Sequence, residues 1–175
     1  MMVYVLAFVV LLLATATVVL FAMLGELYAR IGGTAEATGP LRDAAVGQRP
    51  DQWPPELARL ADAPDAVLLV LSTACASCNQ VAEQLRERPD PMPGLLTGVA
   101  LSTPDQKRAE TFIRRYGLPR ESVYVDDGGQ WITNAFGVQT SPSALQLRYG
   151  ELASAVVFSD IETLKAATSP IKQPN

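Results

Sequence analysis

Cys75 and Cys78, the only cysteines in this 175-residue chain, are the residues best suited to do chemistry. They are separated by two residues and follow the apolar run 67–71, so a helix that begins here brings both sulfur atoms to its first turn. The unpaired N–H groups and the positive end of the helix dipole at that turn favour a thiolate. Because a thiolate is the species that attacks disulfides, the spacing predicts a pair that forms and breaks a disulfide reversibly.

Two other uses of a Cys-x-x-Cys pair are less favoured by this sequence. A closed zinc site requires four Cys or His ligands, and the chain has no histidine and no third cysteine, so carboxylates or a partner chain would have to complete it. A purely structural disulfide would close a very short loop and would remove little entropy from the unfolded chain. The redox interpretation is therefore preferred, and neither a metal nor a cofactor is predicted.

The charge and composition of the chain exclude several functional classes. The formal net charge is −4 with a pI of about 4.8, and no basic stripe is present, so nucleic acid is not an expected partner. No glycine-rich phosphate-binding loop is found. Without histidine, a Ser-His or Cys-His nucleophilic site cannot be assembled within the chain.

The first 24 residues are apolar or weakly polar, and the first charged side chain is Glu26. A helix needs about 20 such residues to cross a bilayer. A cleavable signal peptide would begin with basic residues and have a shorter apolar core, neither of which is seen. We therefore expect residues 1–24 to form a retained single-pass transmembrane anchor that contacts the lipid bilayer.

Two arguments about the side of the membrane oppose each other. Lys and Arg are absent before the apolar segment, whereas Arg30, Arg42 and Arg49 follow it, which weakly favours a cytosolic domain. A tethered thiol pair is most useful where disulfides persist, outside the reducing cytosol. We predict a cell-membrane protein with an extracytoplasmic catalytic domain, against the weak charge signal.

The rest of the chain is predicted to comprise a connector (25–55), a folded domain (56–168) and a disordered tail (169–175). The connector is rich in Gly and Pro, and its part from residue 41 should lie along the domain because Trp53 would otherwise be exposed. The domain alternates strands and helices and ends in a hairpin around Gly150-Glu151 and a last helix. Expected strands are 67–72, 95–101, 123–125, 143–149 and 154–158; expected helices are 56–61, 76–88, 103–116, 131–136 and 161–167. This order predicts an α/β fold, a mixed central sheet with helices on both faces.

Two segments carry a resemblance to a known family, LVLSTACASC (69–78) and FGVQTSP (136–142). They are similar to membrane-anchored thioredoxin-like proteins of the TlpA/MauD type, and the resemblance covers roughly residues 47–168, with the anchor and LYARIG (27–32) also similar. It implies a thioredoxin-like fold and a thiol-disulfide oxidoreductase that acts on partner proteins, for instance in the maturation of an exported protein. Carried over, Pro142 is the family's cis-proline facing the cysteines, and Ser141 is the neighbour that shapes substrate contact.

The sequence departs from the family at three places near the cysteines. Ala74 replaces the usual tryptophan, Ala76 and Ser77 replace the usual intervening residues, and the strand 67–71 offers no buried carboxylate. With only the helix dipole and local N–H groups left, the pKa of Cys75 is expected in the upper part of the range of about 3.5–7.5. Ser77 could hydrogen-bond the thiolate or could be only a local helix cap.

In the predicted mechanism, Cys75 is the nucleophile and Cys78 resolves the mixed disulfide. The expected partners are proteins with a dithiol or disulfide and a separate redox partner. The alternative is a catalytically weak thioredoxin-fold binding module with a structural disulfide, which the three departures motivate. A copper chaperone is disfavoured by the absence of histidine. Other prominent residues are expected to be solvated surface (Arg86, Arg88, Arg114, Arg115) or packing residues (Trp53, Trp131, Phe136).

Overall fold

The computed structural model describes residues 15, 17, 39–88 and 90–168. The chain divides into two compact units, Met1–Glu36 and Ala37–Asn175, and the fold presented here is that of the second unit. Apart from residues 15 and 17, the predicted anchor lies outside the described residues, as does the predicted tail. Among the described residues, no helix has the length and apolar character that a bilayer crossing requires.

Six strands of the described residues form one mixed sheet in the order β1-β6-β5-β2-β3-β4. Strands β2, β3 and β4 run parallel to one another, whereas β5 is antiparallel to β2, β6 to β5, and β1 to β6. The strands are β1 (Gly39–Pro40), β2 (Ala66–Ser72), β3 (Leu96–Thr103), β4 (Val123–Asp127), β5 (Ser143–Arg148) and β6 (Glu151–Val157).

Helices cover both faces of this sheet. They are α1 (Ala76–Glu87), α2 (Gln106–Tyr116), α3 (Gln130–Phe136) and α4 (Ile161–Thr168), with 3₁₀ segments at Pro55–Leu60 and Arg120–Ser122. The buried side chains of α1, α2 and α4 share one core cluster, and those of α3 and the first 3₁₀ segment share the other. The predicted mixed α/β architecture is thus confirmed, and it fits the thioredoxin-like fold that the resemblance implies.

Strand β2 is the common wall of the two core clusters. Its odd-numbered residues from Val67 to Leu71 pack with α1, α2 and α4, and its even-numbered residues from Ala66 to Val70 pack on the opposite face. A strand buried on both faces cannot alternate apolar with polar residues, which explains the uninterrupted apolar run in the sequence.

The strand register brings two distant loops together at one edge of the sheet. The pairing of β2 with β5 places Ser143, the first residue of β5, opposite Val70 near the end of β2. Because these strands are antiparallel, the loop that enters β5 lies beside the loop that leaves β2. Pro142 and Cys75 belong to these two loops, although 66 residues separate Cys75 from Ser141.

The segment 39–55 is packed on the domain rather than free of it. Gly39 and Pro40 pair with Val157 and Val156 of β6, and the indole of Trp53 lies 5.7 Å from that of Trp131 between ring centroids. The expectation that residues 41–55 lie along the domain is confirmed. One compact unit spans Ala37–Asn175, so it includes the packed part of the predicted connector.

Most predicted boundaries differ from the structure by one or two residues, and three predictions differ by more or in the type of element. Helix α2 begins at Gln106, not at residue 103, since Thr103 completes β3 and the carboxylate of Asp105 caps the helix by accepting the Lys107 N–H at 2.9 Å. The first helix is 3₁₀ over Pro55–Leu60. The hairpin turns at Tyr149-Gly150, whose φ angles of 50° and 74° match a two-residue turn, so Glu151 already belongs to β6.

Gly98 of β3 is predicted to be intolerant of a side chain. A Cβ there would lie 2.7 Å from Leu57 and 2.8 Å from Leu60, which are both fully buried. Gly98→Ala should therefore lower the free energy of unfolding by about 1–3 kcal/mol in urea denaturation. Gly39→Ala is the matched control, because a Cβ at that strand position meets nothing within 4 Å. Equal denaturation midpoints for the two variants would contradict the described packing.

Candidate active site

Helix α1 places the two cysteines at its first turn. Cys75 is the N-cap residue, with φ −101° and ψ 123°, and its sulfur accepts the backbone N–H of Cys78 at 3.2 Å. This is the geometry by which a side chain satisfies a free N–H group at the start of a helix. The helix is held by its apolar face, since Val81, Ala82 and Leu85 are buried together with Cys78.

The two sulfur atoms differ in their access to solvent. Both cysteines are free thiols, but Cys75 is half-buried whereas Cys78 is fully buried. A molecule that approaches from solvent therefore reaches Cys75 first. Cys78 lies behind it in the core formed with α1, α2 and α4.

Three groups surround the sulfur of Cys75 in addition to the Cys78 N–H. The hydroxyl of Ser77 lies 3.2 Å away, and the carbonyl oxygen of Ser141 accepts from the Cys75 thiol at 3.5 Å. The third is the Cys78 thiol, which hydrogen-bonds the Cys75 thiolate. Of the two roles open to Ser77 from the sequence, the contact with Cys75 is observed, and the cap position belongs to Cys75 itself.

The hydrogen-bond donors among these groups lower the pKa of Cys75 from 9.0 to about 5. The largest cause is the hydrogen bond from the Cys78 thiol, followed among the lowering contributions by the Ser77 hydroxyl and the Cys78 N–H; partial burial opposes them. The value lies below the upper part of the range expected from the sequence. The difference arises because the expectation counted the helix terminus but not the thiol and hydroxyl donors.

The same hydrogen bond raises the pKa of Cys78 well above its ordinary value, and burial adds to the effect. At neutral pH the site therefore holds a Cys75 thiolate and a protonated Cys78 thiol. The principal cause of the raised pKa is removed when the Cys75 sulfur becomes bonded to another sulfur. Cys78 is thus a weak nucleophile until the first cysteine has reacted.

The loop before β5 completes the site. The Ser141–Pro142 peptide bond is cis, as the resemblance implies, and the Ser141 carbonyl faces Cys75. Ser143 begins β5 and its hydroxyl donates to the Thr140 carbonyl at 2.9 Å, which closes the loop. Ala76 lies exposed at the start of α1, between the two cysteines.

Two hydrogen bonds that position the site were not predicted. The phenol of Tyr116 on α2 donates to Asn79, which directly follows Cys78, at 3.1 Å. The hydroxyl of Thr73 donates to that of Thr103 at 3.1 Å and so ties the loop before Cys75 to the end of β3. A polar residue immediately after the second cysteine is the one sequence signal that could have pointed to the first bond.

Asp126 is the only acidic residue that is buried as a whole among the described residues. Its two oxygens accept the backbone N–H groups of Trp131 and Ile132, both at 2.9 Å, so it caps α3. Both acceptor oxygens are therefore engaged in holding a helix.

The other prominent side chains have structural partners. The rings of Trp53, Trp131 and Phe136 pack edge to face on one another, which confirms them as packing residues. Arg86 pairs with Glu83 and Arg88 with Glu162 at the exposed surface, where such pairs contribute little stability.

Comparison with known proteins gives matches among solved structures only. No family model matches, and no curated protein matches. A secreted disulfide oxidoreductase of Mycobacterium tuberculosis, homologous to E. coli DsbE, is 19% identical over 59% of this chain and 78% of its own, with a TM-score of 0.48. StoA from Bacillus subtilis is 18% identical over 58% of this chain and 80% of its own, with a TM-score of 0.45. A thioredoxin-like protein from Aeropyrum pernix is 14% identical over 83% of this chain and 95% of its own, with a TM-score of 0.47. Since none of these scores reaches 0.5, the function has to follow from the residues of this chain.

The lowered pKa predicts the pH dependence of Cys75 alkylation. A thiol with a depressed pKa is ionised above that pKa and loses its thiolate as the pH falls through about 5. The rate with iodoacetamide should therefore rise through about pH 5 and level off above it, whereas an ordinary thiol would rise until about pH 9. In Cys75→Ser the remaining buried Cys78 should react only slowly at neutral pH. A midpoint near 9 in the unmodified protein would contradict the described site.

Removing the Ser77 hydroxyl should destabilise the Cys75 thiolate. Ser77→Ala deletes one donor at 3.2 Å and should cost roughly 1 kcal/mol of thiolate stabilisation, which raises the pKa of Cys75. Ser77→Thr keeps the hydroxyl and should keep the pKa, as measured by the same alkylation profile. Identical profiles for the Ala and Thr variants would show that the hydroxyl is no more than a neighbour.

Proposed function

We propose that this protein is a thiol-disulfide oxidoreductase that acts on partner proteins through Cys75 and Cys78. The observation that carries the proposal is the asymmetry of the pair: an accessible sulfur with a pKa of about 5 stands in front of a buried, protonated one. A disulfide with only a structural role does not need a stabilised thiolate, so the asymmetry favours redox exchange over the binding-module alternative.

The reducing direction proceeds in two exchanges. The Cys75 thiolate attacks one sulfur of the partner's disulfide, the partner's S–S bond breaks, and its other sulfur leaves as a thiolate that takes up a proton. Cys78 then loses its proton and attacks the Cys75 sulfur. This releases the second partner sulfur and forms the Cys75–Cys78 disulfide. Two electrons have then passed to the partner, together with one proton from Cys78 and one from solvent, and the oxidising direction is the reverse.

The loop at Ser141-Pro142 is proposed to receive the partner's chain. Pro142 has no N–H and so leaves the loop edge without a donor at that position. The Ser141 carbonyl, 3.5 Å from the Cys75 sulfur, is in place to accept a backbone N–H from an extended segment that carries the reacting cysteine. Ala76 and Ser77, on the other side of the sulfur, complete the proposed contact surface.

The cellular setting is proposed from the sequence. The apolar segment 1–24 would anchor the protein in the cell membrane, with the catalytic domain on the extracytoplasmic side, where disulfides persist. Partners in that compartment are exported proteins whose cysteines must be joined or separated during maturation. A second protein must reset the pair after each cycle.

Single-cysteine variants test the proposal. Cys75→Ser should lose essentially all activity on a protein disulfide, because Cys78 is buried and protonated. Cys78→Ser should still attack but cannot resolve, so a covalent adduct through Cys75 should accumulate on non-reducing gels and disappear with a reductant. Ser72→Ala is the control for folding, because it changes a residue next to the site and keeps both cysteines. A Cys75→Ser variant with the rate of the unmodified protein would refute the assignment.

A further inference from the structure

A groove with an excess of positive charge adjoins the cysteine pair. It has a volume of about 480 Å³ and is bounded by the loop before Cys75, the first turn of α1 and one side of α2. Thr73 and Asn79 form its near end, and the Asn79 N–H bonds the Cys75 carbonyl at 3.3 Å, so the groove begins at the site itself.

Helix α2 contributes three cations to this groove: Lys107, Arg108 and Arg115. Residues 107, 111 and 115 are spaced four apart, as are 108, 112 and 116, so they form two adjacent rows on one side of the helix. The groove's one carboxylate, Asp105, caps α2 through the Lys107 N–H and lies 4.0 Å from Arg108. Neither Lys107 nor Arg115 has an ion-pair partner among the described residues.

The acidic residue of α2 does not offset these charges. Glu110 is absent from the groove lining and is held by Arg120 through both carboxylate oxygens. The guanidinium of Arg115 lies over the ring of Tyr116, 5.4 Å from its centroid, and the Tyr116 hydroxyl bonds Asn79 at 3.1 Å. A cation is thus tied to the first turn of α1 through a single side chain.

We infer that the groove binds an acidic segment of the partner protein, next to the cysteine that Cys75 attacks. The inference rests on the proposed function and adds the class of substrate to it. Aspartate and glutamate side chains complement the excess of two positive charges, which is a local feature because the chain as a whole carries a net charge of −4. A basic segment would instead be repelled, so the groove selects among disulfides that react equally well with the thiolate alone.

The test uses pre-reduced, full-length protein in a non-ionic detergent and measures single-turnover reduction of disulfide peptides. The peptides are identical except that Glu, Gln or Lys flanks the disulfide. The unmodified protein should reduce the Glu peptide roughly three- to tenfold faster than the Gln peptide and the Lys peptide most slowly. The preference should fade when the ionic strength is raised from about 0.05 M to about 0.5 M.

A matched pair of double variants separates the groove from overall charge. K107Q/R115Q removes two groove cations, and R114Q/R42Q removes two exposed arginines outside it. The first should lose the Glu preference and keep its rate on the Gln peptide within about twofold, and the second should keep both. The pH profile of Cys75 alkylation should be the same in all three proteins, because the largest causes that lower its pKa are hydrogen bonds from Cys78 and Ser77, which both double variants keep.

The outcomes distinguish the inference from the function on which it rests. Equal rates on the three peptides, or equal loss of preference in both double variants, would overturn the inference that the groove binds acidic segments. Either result would leave the proposed oxidoreductase function standing. Failure of the unmodified protein to reduce any of the peptides would overturn both. Loss of the preference in K107Q/R115Q alone would establish the groove as the partner-selecting surface.

Discussion

The hydrogen bond from the backbone N–H of Cys78 to the sulfur of Cys75 joins the fold of this protein to its chemistry. It makes a cysteine the cap of α1, so the free N–H that every helix start must satisfy is satisfied by a thiolate. The Cys78 thiol and the Ser77 hydroxyl add to this and bring the pKa of Cys75 to about 5. Because each of these donors belongs to the first turn of α1, the reactivity depends on that turn being formed.

The position of this first helical turn depends on strand β2. With apolar side chains on both faces, β2 is the wall between the two cores, and its antiparallel pairing with β5 brings the loop of Ser141 and Pro142 to the same edge. The nucleophile and the facing loop are thus fixed by sheet register rather than by direct bonds alone. Bonds from Thr73 to Thr103 and from Tyr116 to Asn79 then connect this edge to β3 and α2, where the cationic groove lies.

Much of the fold could be predicted because its signals are local. The uninterrupted apolar run 67–71 determines β2, and the Cys-x-x-Cys spacing that follows it indicates where α1 begins. The hairpin turn was misplaced because Tyr149 adopts a φ of 50°, which favours Gly or Asn, and nothing in its type indicates this. The groove and the depth of the Cys75 pKa shift could not be predicted, because both require knowing which side chains meet across α1, α2 and the loops between them.

The reduction potential of the Cys75–Cys78 pair tests the central claim most directly. Stabilising the thiolate stabilises the reduced form, so a pKa of about 5 should make this pair more oxidising than thioredoxin and less so than DsbA. Equilibration of the full-length protein in glutathione buffers should therefore give a reversible two-electron transition between about −270 and about −120 mV. A pair that stays fully oxidised until below about −300 mV would behave as an inert structural disulfide and would contradict the account.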